Sequence, residues 1–479
     1  MKKYLAVLLA VIFILSFAVA AFAEDKPEIT LGGKLLLRGW YFHDVDNGLP
    51  AQPVEGSRSE SLYTTNVYLT VDAKVTDNVR GFIELETASG TAGSPYSGVY
   101  YWGTYDAKPA ADILIRQAWV QYTGSGLLGV PAGIKAGHML LSLGEKIFLD
   151  MTRFGTDGIV VWTDPTKELH IGALTAKLYE GPTTTIGNIN HNSDLDAYIL
   201  LGTYMLDKDN TIGLNYTLIH SDGNLPSLGE LVDGTPNCDS VNFQNVGIHA
   251  NGKISGFSYA AEADFQFGKV KNIALSDEDL KFSGWAVLVK LGYMIDPVNI
   301  RASFAMGSGD KETDDDKNGE FQALVGSDSI GAIARFTHYT LVYERLVRTS
   351  AAAQLVTSTT TVDDITGLPG NHRTTGIANT TYYNLGFDVN PMKELSMSLD
   401  GFFLRATRNQ IWEDATGDSV SKDLGWEVDL KASYKLAKNL TYFVEAGYFN
   451  AGNFYDDVYG ADSDIKNASQ VVHGLKLEF

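Results

Sequence analysis

Apolar residues in this chain recur at every second position over stretches of roughly ten residues, each closed by turn chemistry, and few folds accept such a pattern. In 424–436, Leu424, Trp426, Val428, Leu430, Ala432, Tyr434 and Leu436 share one face of an extended strand. Glu427, Asp429, Lys431, Ser433 and Lys435 share the other. Segment 67–75 alternates Val67, Leu69, Val71, Ala73 and Val75 with Tyr68, Thr70, Asp72 and Lys74, and 257–267 repeats the pattern. Weaker copies run at 29–38, 79–87, 211–218, 285–293, 298–306, 395–402 and 440–448. Segments 112–122 and 330–348 break register, as bulged strands would. After residue 23 no apolar run approaches the length of a spanning helix, so the expected class is all-β.

A soluble sandwich also alternates, and the turns separate the two cases. Short connections at 76–78, 124–131, 164–167, 207–209, 252–255, 296–297, 390–393 and 437–439 are interleaved with long polar ones. Short turns at one end and long loops at the other are the layout of an antiparallel up-and-down transmembrane β-barrel, with short periplasmic turns and long external loops. Aromatic clusters such as Trp40-Tyr41-Phe42, Tyr100-Tyr101-Trp102 and Tyr448-Phe449 sit near strand ends, where interfacial girdles belong. The chain ends in an alternating strand whose Leu475, Leu477 and Phe479 share a face; this resembles the signal read by the outer-membrane barrel assembly machinery. At the other end, Met1-Lys2-Lys3, an apolar stretch to Phe22 and an Ala21-Phe22-Ala23 cleavage site predict a cleaved signal peptide over 1–23. Residues 24–479 are then one barrel domain, placed in the outer membrane of a Gram-negative bacterium, among lipid and lipopolysaccharide.

Both termini belong at the short-turn end, so the strand number is even. A ninth short turn near Thr337-His338 would make twenty strands, and without it the number is eighteen; the expected range is 16–20. Barrels of about that width leave an aqueous lumen. Composition narrows the function further. A net charge of −21 leaves no cationic surplus for phosphates, which excludes a nucleic-acid binder. The single Cys238 excludes disulfides within the chain and thiolate metal centres, and no cofactor is expected. His220-Ser221-Asp222 holds triad residue types, but neighbours on a strand face opposite ways, and no hydrolase motif appears. No enzyme is expected.

Ile115-Arg116-Gln117-Ala118-Trp119-Val120, followed by Ile134-Lys135-Ala136-Gly137-His138, is similar to a strand pair shared by porins and alginate-export-type barrels. The whole layout resembles large Gram-negative porins, including porin-like proteins of metal-reducing deltaproteobacteria. His138 and Met139 stand where those families usually carry Arg-Gln. The resemblance implies a water-filled channel for passive diffusion of small hydrophilic solutes and ions, and a homotrimer. The alternatives are a substrate-specific channel, or a barrel scaffold or receptor for an extracellular or electron-transfer partner.

Alternation assigns pore-lining candidates: Lys34, Arg38, Asp72, Lys74, Arg80, Glu84, Glu86, Glu262, Asp264, Lys290, Arg301, Glu427, Asp429, Lys431 and Glu445. With Lys435, Lys476 and Glu478 these balance in sign, so a path for polyanions is not expected. Acidic external loops point instead to a mild cation preference. The loop around 89–111, with Tyr96, Tyr100, Tyr101, Trp102 and Tyr105, is a candidate constriction; 142–155, with Lys146, Asp150 and Arg153, is the second. Asp314, Asp316 and Asn318 match the first half of a calcium loop, but Val325 stands where the bidentate glutamate belongs, so no metal site is assigned.

Overall fold

Strands with one apolar and one polar face bury the apolar face in lipid only if no edge remains, which requires closure. The computed structural model closes. It describes residues 27–479 apart from 47–48, 51–58, 90–99, 104–110, 127–128, 154, 180–193, 224–237, 274–277, 313–315, 326–338, 348–375 and 460–464; the expected signal peptide lies outside the described residues. Twenty-one strand segments share one sheet. Three of them, Tyr100–Tyr101, Glu278–Phe282 and Lys317–Asn318, are short additions at the long-loop end, which leaves eighteen wall strands.

In chain order these are β1 (Glu28–His43), β2 (Ser59–Lys74), β3 (Val79–Ser89), β4 (Ala111–Ser125), β5 (Pro131–Met139) and β6 (Thr156–Thr163). Then come β7 (Leu169–Tyr179), β8 (Leu195–Met205), β9 (Thr211–Ser221), β10 (Ser240–Ile254), β11 (Phe257–Ile273) and β12 (Trp285–Ile295). The last six are β13 (Val298–Gly307), β14 (Thr380–Met392), β15 (Leu395–Ala406), β16 (Asp423–Ala437), β17 (Leu440–Ala451) and β18 (Ala468–Glu478). Each pairs antiparallel with the next, and β18 returns to β1 from Lys34↔Glu478 to His43↔Ser469.

All eight short turns fall where the sequence puts them, and eight such turns make eighteen strands. Thr337-His338 lies outside the described residues, so no ninth turn is observed. The expected bulged strand at 330–348 is corrected where it is described: Tyr343–Val347 is a single π-helical turn. The break at 112–122 is a true bulge between β3 and β4, where the register shifts after Glu84.

Outward positions carry Leu31, Leu69, Ile83, Ile115, Leu200, Leu214, Phe265, Leu291, Leu385 and Leu399, all exposed, as a lipid-facing belt requires. Outward rings such as Phe257 and Tyr293, stacked at 4.4 Å, border it at the short-turn end. Of the predicted aromatic clusters at 40–42 and 448–449 only alternate members face out. Tyr41 and Tyr448 do, whereas Trp40, Phe42 and Phe449 point inward and are buried. The terminal strand sets Leu475 opposite Leu37 and Leu477 opposite Leu35, on the outward face. Phe479 closes the end of β1 through backbone bonds in both directions with Gly33.

The apolar core lies inside the barrel. It gathers inward side chains from the long-loop half of the wall, among them Leu195, Ile199, Ile219, Phe243 and Leu404. Against them pack two long connections: residues 140–155, between β5 and β6, and the described parts of 308–379, between β13 and β14. The two connections join in the lumen. Leu149–Asp150 pairs in parallel with Leu324–Val325, and the Leu324 N–H donates to the Phe148 carbonyl at 2.6 Å.

Candidate pore constriction

Strand register turns all fifteen predicted pore-lining residues to the inner face: Lys34, Arg38, Asp72, Lys74, Arg80, Glu84, Glu86, Glu262, Asp264, Lys290, Arg301, Glu427, Asp429, Lys431 and Glu445. Their surroundings then divide them. Asp72, Lys74 and Arg80 stand at the short-turn mouth, where Arg80 Nε donates to Asp72 Oδ1 at 2.8 Å and Lys74 reaches Asp77 at 2.6 Å. Higher up, six carboxylates are buried: Glu84, Glu86, Glu262, Asp264, Glu427 and Asp429. They form three pairs, each two residues apart on one strand, and each pair meets an inserted connection.

The first pair rests on β3. The bulge in β4 sends both Arg116 and Gln117 inward, where regular alternation would point one of them to lipid. Arg116 Nη1 donates to Glu84 Oε2 at 2.6 Å, and Gln117 Nε2 donates to the same oxygen at 2.7 Å. Arg116 also grips the loop, donating to the carbonyls of Thr152 at 2.8 Å and Arg153 at 3.0 Å. Arg153 in turn donates to Glu86 Oε2 at 2.8 Å. The 140–155 connection is thus pinned at its far end by charge-assisted bonds, which are about twice as strong as neutral ones.

The second pair, on β11, holds the same connection nearer its start. Glu262 Oε2 accepts the backbone N–H of Glu145, and Lys290 donates to Glu145 Oε2 at 3.2 Å. Gly144 makes room for this contact: its φ is +49°, and a Cβ there would sit 2.5 Å from Glu262 Oε1. Asp264 Oδ1 accepts from Asn245 Nδ2 at 2.7 Å.

The third pair, on β16, holds the longer connection. Glu427 accepts the N–H groups of Val342 at 2.6 Å and Tyr343 at 2.7 Å, and Asp429 accepts that of Leu341 at 3.0 Å. Within the segment Glu344 accepts from the backbones of Tyr339 and Gly376, at 2.9 and 3.0 Å. Arg345 follows at once; its Nε and Nη1 are buried, and this desolvation lowers its proton affinity.

With these carboxylates buried, two cavities in the described part of the lumen are lined by more cations than acids. A cavity of about 640 Å³ on the short-turn side is bounded by Arg38, Arg345, Lys393, Lys431, Lys435 and Lys476, with only Glu394 and Glu445 opposing them. A second, of about 370 Å³, is bounded by Lys290, Arg301 and Lys431, with Asp400, Asn384, Tyr339 and Tyr382. Arg301 is held side-on by Asp388 at 2.7 Å and Asp400 at 2.9 Å. The even charge count read along the strands therefore does not describe the open surface.

The first loop candidate is placed differently. Tyr96 and Tyr105 lie outside the described residues. Tyr100–Tyr101 extends the wall beside Thr64 and Thr65, and Trp102 stacks at 5.3 Å on the outward ring of Tyr63, donating to Thr65 Oγ1 at 2.8 Å. In the acidic loop, Asp314 also lies outside the described residues. Asp316 pairs with Lys281, and Asn318 Oδ1 accepts the Glu320 N–H at 2.9 Å. Arg116, Gln117, Glu344 and Arg345 were missed as site residues. For the first two a signal existed: two adjacent polar residues interrupting an alternating strand.

A closed eighteen-stranded barrel with an apolar outer belt, short turns at one end and inward-folded long connections at the other is the fold of Gram-negative outer-membrane porins, and it places the chain in the outer membrane. Solved structures agree. OccK2 (OpdF) of Pseudomonas aeruginosa superposes with a TM-score of 0.52 at 10% identity, over 96% of this chain and 100% of that one. OccK5 (OpdH) of the same organism gives 0.50 at 11%, over 96% and 100%. OprD of Pseudomonas aeruginosa gives 0.50 at 13%, over 96% and 97%. A family model described as alginate export matches residues 366–469. No curated protein sequence matches the chain.

Proposed function

We propose that this barrel is a substrate-selective outer-membrane channel that passes small anionic solutes, carboxylates in particular, down their concentration gradient. The observation that carries this reading is the division of labour among the inward charges. Glu84, Glu86, Glu262, Asp264, Glu427 and Asp429 are buried. Lys290, Lys431, Lys435 and Lys476 keep partial or full exposure toward the cavities. A ring of one sign in a low-dielectric wall sets ion selectivity. This replaces the mild cation preference read from the acidic loops, because charges at a mouth are screened within about 10 Å at 0.1 M salt, whereas lumen charges are met by every permeating ion. Two inserted connections favour a selective path over an open diffusion pore, and cavities of this size suit small solutes over a polymer. They also leave little room for a partner threaded through the barrel. OccK2 has been solved in complex with glucuronate, and that sugar acid is a fitting probe. The terminal strand as assembly signal, contact with lipopolysaccharide and trimer formation belong to the same proposal.

The test is reversal potential across planar bilayers under a KCl gradient, followed by glucuronate titration. Chloride selectivity and current block by glucuronate are expected. Cation selectivity, with no block, would overturn the reading.

A further inference from the structure

We propose that the inner wall at β9–β11 binds a single calcium-class cation, held by Asp264, Glu262 and Asn215 with Thr217 alongside. Three neighbouring inward positions make the place: Asn215 on β9, Gly247 on β10 and Asp264 on β11, in register across the strands. Gly247 leaves a notch, and the side chains on either side of it converge there. A Cβ at Gly247 would sit 2.5 Å from Asp264 Oδ1 and 2.6 and 2.9 Å from the two amide atoms of Asn215.

What points to a ligand is the state of the polar atoms around this notch. Asn215 is 2% exposed, yet among the described residues neither of its amide atoms makes a hydrogen bond. The Thr217 hydroxyl, one inward position further along β9, is likewise buried without a partner, and Glu262 Oε1 and Asp264 Oδ2 receive no donor from any other described residue, the two carboxyls lying against each other. Buried polar atoms are nearly always bonded, so several orphans at one place mark a missing group. Charge identifies it. Two adjoining carboxylates are buried here, and neither forms an ion pair with a lysine or arginine among the described residues; Lys290, on the neighbouring strand β12, pairs with Glu145. Burying such charge uncompensated is expensive. A divalent cation balances both carboxylates and gives the orphaned oxygens a partner.

The donors are all oxygens: two carboxylates, an amide carbonyl and a hydroxyl. That set suits calcium, which accepts irregular oxygen cages, better than magnesium, which demands an octahedron and keeps its waters. No described cluster joins three or more His, Cys, Asp or Glu side chains as metal ligands, so the amide and the hydroxyl are essential to this assignment. The rival is a proton shared between the carboxyl groups, which would need no metal.

The test is calorimetric titration of CaCl2 into EDTA-treated, refolded barrel in detergent, with heat-modifiable migration on gels reporting the fold. One calcium per chain is expected. Asp264→Asn and, with both carboxylates kept, Asn215→Ala should each weaken it by more than about tenfold. A variant of the acidic loop, Asp314→Asn with Asp316→Asn, should bind as the wild type does. Absence of stoichiometric binding to the wild type, equal binding by the Asp264 and Asn215 variants, or loss of binding in the loop variant would each overturn the proposal.

Discussion

Glu427/Asp429 and Glu262/Asp264 are the same device by sequence: two acids, two residues apart, on the inward face of a long strand. Their environments differ. At Glu427/Asp429 three consecutive backbone N–H groups of the 341–343 segment converge on the carboxylates, and the buried guanidinium of Arg345 stands nearby. At Glu262/Asp264 one backbone N–H and one asparagine amide arrive, and two carboxylate oxygens, Glu262 Oε1 and Asp264 Oδ2, remain without a donor, against one, Asp429 Oδ1, at the other pair. A carboxylate pair on a barrel wall is therefore a socket whose role depends on what the chain brings across the lumen. Where the inserted segment supplies enough donors, the pair locks a constriction. Where it does not, the pair keeps capacity for something else.

The comparison can be broken first at the stronger socket. Glu427→Ala with Asp429→Ala removes the acceptors of three charge-assisted bonds, each worth about 1.5–3 kcal/mol. The 339–347 segment should then leave the wall, and single-channel conductance should rise severalfold; an unchanged conductance would show that apolar packing alone holds it. Next in size is Arg116→Met, which strips Glu84 of its cation and frees two loop carbonyls. Breaking a buried pair on one side costs about 3–5 kcal/mol, to be read as a lowered urea midpoint of the refolded barrel. Arg301→Gln with Lys431→Gln leaves both sockets intact and removes lining charge; the reversal potential should move toward cation selectivity at nearly constant conductance. The smallest effect belongs to Glu262→Gln, because glutamine still accepts from the Glu145 N–H and Arg153 still pins the far end of the loop to Glu86. Conductance recordings should barely distinguish this variant, and a change as large as that at Glu427 would erase the distinction between the sockets.

The wall was legible because lipid outside and water or protein inside impose a two-residue period that no later event alters. All eight short turns and the inward facing of the fifteen candidate residues follow from it. The segment 339–347 misled for a physical reason: its apolar residues, Leu341, Val342, Leu346 and Val347, are buried against the inside of the barrel and not against lipid. A trace of this was present in the strands themselves. Around Ala197–Leu201 both faces are apolar, as they must be where a wall strand is covered on both sides. Reading that stretch as covered inside would have predicted a filled lumen at the long-loop end.

The sequence alone determined a closed antiparallel barrel, its strand directions and which side chains face inward, since these depend on local periodicity and turn chemistry. Tertiary structure alone decided which inward charges meet solvent. Glu86, Glu262, Glu427 and Asp429 became anchors because connections distant in sequence fold across the lumen and present N–H or guanidinium groups to them, while Glu84 and Asp264 are met by side chains of the neighbouring wall strands. The lysines and Arg301 were left to the cavities. Burial of a charge is set by whatever covers it, and along a strand of alternating residues the cover does not appear.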